Sequence, residues 1–176
     1  MIEKHQIIEQ LKEFYPTDIS LDDIAAYANS EPYKKKKSYI DSAWSDRNEW
    51  NLLKDSLSDL STEIWDYSFI GGSPCYHFSF IQEEDKEILY SLFVSVILPY
   101  YAIRIMNISN LDKSFDPISA IESRVFEKLE NKVKNVFPKH RMIRDKALLQ
   151  TKVDIFEADG EYPPSIQHLL FSTIET

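Results

Sequence analysis

Apolar positions in the first third of the chain recur at helical spacing, whereas in the middle third they recur at a spacing of two. Ile7, Ile8, Leu11, Phe14 and Tyr15 share one side of a helix that Pro16 should stop. A short second helix is predicted after Ser20, whose hydroxyl suits the N-cap. Asp22 and Asp23 suit the positive end of its dipole, and Ile24, Tyr27 and Ala28 supply the inward face. From Glu31 to Asp41 the pattern lapses around Pro32 and the run Lys34-Lys35-Lys36-Lys37, so this stretch reads as an exposed connection. Trp50, Leu53, Leu57 and Leu60 then repeat at intervals of three and four, which predicts a third helix starting near Ser45 or Asp46.

The period then becomes two. Trp65, Tyr67 and Phe69 alternate with polar residues; Gly71-Gly72-Ser73-Pro74 breaks the run, and Tyr76, Phe78 and Phe80 resume it. A charged turn, Glu83 to Glu87, leads into Ile88–Leu98, apolar on nearly both faces and therefore expected at the centre of a sheet. After Pro99, the alternation of Tyr101, Ile103 and Ile105 completes an antiparallel meander of about four strands. Asp116-Pro117 predicts a helix start, with the carboxylate as cap; Ile118, Ile121, Val125, Leu129, Val133 and Val136 mark a face that should cover the sheet, up to Pro138. Met142 to Leu149 fits helix or strand equally. Lys152 to Phe156 reads as a short strand, Asp159-Gly160 and Pro163-Pro164 as turns, and Ser165 as the cap of a last short helix through Leu169 and Leu170. The expected fold class is α+β in one domain over residues 1–176: N-terminal helices, the meander, a long covering helix and a short mixed C-terminal segment.

Composition narrows the function classes. With 43% hydrophobic residues the chain can build a sizeable core, and only three glycines, two of them adjacent at Gly71-Gly72, leave no flexible linker to divide it. The apolar run Leu89 to Ile103 is interrupted by Ser91, Ser95 and Pro99 and falls short of the roughly 20 residues that span a bilayer. The charged start, Met1 to Gln6, lacks the apolar core of a signal peptide, and a single cysteine excludes an internal disulfide; a cytoplasmic location is the expectation. A formal charge of −9 opposes nucleic acid and anionic membranes and favours a basic partner.

Candidate chemistry is sparse. His5, His77, His140 and His168 are scattered, without the short spacings of metal ligands, so neither a metal nor a cofactor is expected. Cys75 and His77 could form a nucleophilic pair, but they share a strand face with no orienting carboxylate, and a half-buried pair in the sheet is the simpler reading. Gly71-Gly72-Ser73 lacks the Lys-Ser/Thr ending of a phosphate loop, so no catalytic residue is assigned. Lys34 to Lys37, flanked by Tyr33 and Tyr39, have the composition of a nucleic-acid contact, yet four lysines do not offset the surrounding negative field. Aromatic surplus is the more informative signal: Trp50 and Trp65 belong to the apolar sides of their elements, whereas Trp44 is expected at the surface. An exposed Trp44 within an acidic rim would make a protein-binding patch, the rim drawn from Glu83, Glu84, Asp85 and Glu87 in one turn and Asp154, Glu157, Asp159 and Glu161 in another.

The meander from Trp65 to Asn107, the charged turn Glu83 to Glu87, and a tail reading Val153-Asp154-Ile155-Phe156 and then Leu169-Leu170-Phe171 give the chain a character that resembles the small bacterial immunity proteins of polymorphic toxins. That resemblance implies a non-enzymatic inhibitor that binds a cognate toxin in the cytoplasm and blocks its active site or substrate groove; a nuclease-type toxin, basic where it holds phosphate, would be attracted by the acidic charge. Two other readings stay open at this point: an adaptor or structural domain of a bacterial assembly using the same surface, and an enzyme whose site would require a concave pocket with perturbed titrating groups.

Overall fold

The computed structural model describes residues 3–19, 23–82, 85–155 and 163–171. Four helices open the chain: α1 (Lys4–Leu11), α2 (Ile24–Asn29), α3 (Glu31–Ser45) and α4 (Asn48–Ser56). A sheet follows, with β1 (Ile64–Asp66), β2 (Cys75–Gln82), β3 (Asp85–Ser95), β4 (Tyr100–Asn107) and β5 (Lys113–Ser114). The long helix α5 (Ala120–Val136), strand β6 (Arg141–Met142) and the short helices α6 (Lys146–Leu149) and α7 (Ile166–Phe171) complete it. The architecture is α+β. Among the described residues no helix is long and apolar enough to cross a membrane.

Strands β1 to β5 pair antiparallel in chain order, and β6 joins β4 in parallel. The apolar run expected at the centre is β3, flanked by β2 and β4. Because side chains alternate across a strand, β2 sends Tyr76, Phe78 and Phe80 to one face and Cys75 to the other, and both faces are buried. The first face packs against Leu53 and Leu57 of the α4 region and Val125, Phe126, Leu129 and Val133 of α5. Opposite, Cys75, Phe93, Tyr100 and Ala102 pack against Ile7 and Leu11 of α1 and Ile166, Leu169 and Leu170 of α7. Each such side chain contributes about 1.5–3 kcal/mol on burial. Polar bonds lock the second layer: the Tyr15 hydroxyl donates to the Leu169 carbonyl at 2.6 Å, and the Tyr100 hydroxyl to Gln10 Oε1 at 2.8 Å.

Several elements differ from the pattern. Glu31 to Asp41 is helix, not connection: the Ser30 hydroxyl accepts from Tyr33 N–H, and Pro32 sits in the first turn, where its missing N–H has no intrahelical acceptor to lose. Lysine is a good helix former, and Lys34 and Lys37 pair with Glu31 and Asp41 along the helix. In α2 the cap is Asp23, accepting from Ala26 N–H, while Ile24 and Ala28 are exposed and only Tyr27 of the predicted face is buried. Ser20 lies outside the described residues. The first strand is only Ile64–Asp66, since Phe69 takes a left-handed conformation (φ 61°) and turns the chain toward Gly71 and Gly72. Ser119, not Asp116, caps α5 by accepting from Glu122 N–H, and Ile118 is left 88% exposed before the helix begins. The ambiguous stretch supplies β6 and α6. In place of a strand at Lys152, a single bridge joins Lys152 to Ser165; Phe156 lies outside the described residues. The Ser165 hydroxyl accepts from His168 N–H at the start of α7, as its position suggested.

Candidate functional site

Where α3 hands over to α4, the chain must turn, and Asp46 holds the turn by accepting from Asn48 N–H. The residues on either side, Trp44, Arg47, Glu49 and Trp50, converge on the end of the sheet at which β2 begins. Trp44 is 47% exposed and lies 5.6 Å from both Trp50 and Phe69, ring to ring. Phe69 stands edge-on to Tyr76 at 5.4 Å, and Tyr76 meets Phe137, at the end of α5, at 5.7 Å. Arg47 lies over both tryptophans, 4.7 Å from Trp44 and 4.6 Å from Trp50, a cation–π arrangement.

Beside this aromatic run is a groove of about 370 Å³, walled by Tyr39 and Ser42 of α3, Asp46, Glu49, Tyr76, Phe137 and His140. Its electrostatics are uncompensated. Among the described residues, neither Asp46 nor Glu49 has an ion-pair partner. Partial burial first, and the charge of Asp46 second, hold the Glu49 carboxyl above its ordinary range. Burial pushes the Tyr76 hydroxyl up to about 12, with the charges of Glu49 and Asp46 adding to the effect. The His140 ring nitrogen Nε2 lies 3.1 Å from the Ser95 carbonyl, which requires it to donate; burial nevertheless holds the imidazole below its usual pKa. The groove thus presents two carboxylates, a phenol and a neutral imidazole on an aromatic lining.

Of the sequence-predicted rim, Glu87 and Asp154 are described, and neither stands beside Trp44. Glu87 is exposed on β3, near the end of the hairpin where Gln82 faces Asp85, whereas Trp44 sits at the Tyr76 end. Six residues of strand, roughly 20 Å, separate the two ends. Asp154 is exposed between Val153 and Ile155, which belong to the opposite layer of the core. Glu83, Glu84, Glu157, Asp159 and Glu161 lie outside the described residues, and of Asp85 the backbone alone is described. The acids beside Trp44 are instead Asp46 and Glu49. Their signal was readable as alternating aromatic and charged residues, Trp44-Ser45-Asp46-Arg47-Asn48-Glu49-Trp50. Tyr76, Phe137 and His140 join them only through folding.

Cys75 and His77 offer no nucleophile. Burial pushes the Cys75 thiol up to about 12, and it donates to the Phe171 carbonyl at 3.2 Å. Burial, and then Arg104, lower His77 to about 4, against a smaller opposing effect of Asp66. Among the described residues no group of three or more histidine, cysteine, aspartate or glutamate side chains is placed to hold a metal ion. Trp50 is half-buried, its ring N–H donating to Asp66 at 2.8 Å, and Trp65 is half-buried with its ring N–H on Glu63 at 2.9 Å. Comparison of the chain with protein-family models, with curated proteins and with solved structures finds no match.

Proposed function

We propose that this chain is a protein-binding module, of the kind the immunity proteins represent, and that its binding face is the corner between α3 and α4. The observation that carries this reading is a pair of carboxylates that make no ion pair among the described residues, close to an exposed tryptophan and in a groove rather than on a flat surface. Aromatic anchors next to a pocket concentrate binding energy, and negative potential speeds the approach of a basic partner such as a nuclease-type toxin domain. Glu87, near the far end of the hairpin, would then add to long-range attraction without touching the anchor.

The test is association with a partner isolated through the tagged full chain and then identified. Asp46→Lys with Glu49→Lys should slow association at low salt at least about tenfold, against about twofold or less for Glu83→Lys with Glu84→Lys and Asp85→Lys. A larger effect from the hairpin turn would move the interface there. Expression of the partner alone separates the two binding readings: arrested growth rescued by this chain marks an immunity protein, and harmless expression marks an adaptor. An acid–base enzyme is the second reading, supported by the raised Glu49 carboxyl and the neutral His140 in one groove. It predicts a turnover that Glu49→Gln abolishes while partner binding survives.

A further inference from the structure

Tyr76 is only 2% exposed, yet among the described residues its hydroxyl makes no hydrogen bond, and it lines the groove that holds Asp46 and Glu49. Its ring is enclosed, but the oxygen is not sealed in: it opens on the groove, where a ligand's donor can reach it. Beside it stand two carboxylates that make no ion pair among the described residues, so the group that would satisfy all three is a donor-rich cation. Anions are repelled by the same carboxylates. A volume of about 370 Å³ lies at the low end for ligand pockets and suits one side chain better than a nucleotide or a large cofactor.

The aromatic lining decides between the two basic side chains. A guanidinium is planar, carries five N–H donors and no acceptor, is weakly hydrated and stacks on rings; an ammonium is compact and strongly hydrated. This corner already accommodates a guanidinium, since Arg47 lies over the rings of Trp44 and Trp50. We propose that the groove is a receptor for an arginine side chain of the protein partner, its guanidinium held by Asp46 and Glu49, donating to the Tyr76 hydroxyl and stacked on the aromatic wall. This rests on the protein-binding reading above.

The test titrates the isotope-labelled full chain with N-acetylargininamide, its neutral isostere N-acetylcitrullinamide, and N-acetyllysinamide, following backbone amide shifts. Saturating shifts are expected at Asp46, Glu49 and Tyr76, with arginine bound at least about fivefold more tightly than lysine and citrulline not at all. Glu49→Gln and Asp46→Asn should each weaken arginine at least about threefold, and Tyr76→Phe about twofold with an unchanged or raised melting temperature, because no internal bond is lost. Equal binding of citrulline or lysine, or arginine shifts scattered over the acidic surface and indifferent to Glu49→Gln, would overturn the proposal. Partner capture abolished by Trp44→Ala but untouched by Glu49→Gln would overturn it too, while leaving the binding module standing. Capture indifferent to both would remove the parent reading as well.

Discussion

Helix α3 carries two aromatic settings for a cation, and they differ in one respect. At Lys36 the chain fills the setting itself: the side chain is 7% exposed, its ammonium lies 4.4 Å from the centre of the Tyr15 ring and 5.5 Å from that of Tyr33, and it donates to the Tyr27 hydroxyl at 3.1 Å. From Tyr39, one turn further on, to Asp46 just past the helix, the same element walls a groove whose acids make no ion pair among the described residues. The first setting clips α3 to α2 and to the segment that follows α1. The second has the same ingredients, rings and polar oxygens around a space for positive charge, and lacks the charge. An element that satisfies itself is structural; one left incomplete on an accessible surface is where a partner contributes.

The largest effect should come from emptying the closed setting. Lys36→Ala removes a buried stem and a desolvated cation–π contact and should cost about 3 kcal/mol, whereas Lys36→Met, which keeps the stem, should cost about 1–2 kcal/mol. Chemical denaturation of both variants checks this, and a Lys36→Met variant as stable as the parent chain would make Lys36 mere packing. His77 shows the converse, an enclosed group that refuses charge. Its pKa is depressed, so its stabilising share is present above about 6.5 and lost as pH falls toward about 4. The loss should be on the order of 3 kcal/mol, read from urea midpoints across that range and flattened by His77→Gln. The smallest effect belongs to the open groove and has the opposite sign. The Glu49 carboxyl is raised, so the unfolded chain gives up that proton first and stability falls as pH rises from about 4.5 to the raised value. Solvent screens an exposed group, so Glu49→Gln should gain about 0.5 kcal/mol or less at neutral pH and leave that acidic window flat. A clear loss instead would mean that Glu49 has an internal structural role.

Local chemistry sufficed for much of the fold. Alternation from Tyr76 to Phe80, the double-sided run now in β3, and the five-turn stripe of α5 are repeated patterns, and each repeat adds to the same signal. What misled was punctuation. Pro32 and four lysines signal a break only until Ser30 is seen to cap the segment, and Asp116-Pro117 looked like a helix start although Ser119 supplies the cap.

The chain by itself determined that a two-faced sheet would be covered by helices, that Trp44 would be exposed, and that the molecule would carry excess negative charge, because periodicity, side-chain type and charge are properties of neighbours in sequence. Tertiary structure alone decided what those neighbouring acids face across the groove. Asp46 and Glu49 meet Tyr76, Phe137 and His140 only when α5 and the hairpin fold against the α3–α4 corner. An electrostatic field depends on distance in space, and no spacing along the chain encodes a contact between residues some ninety positions apart.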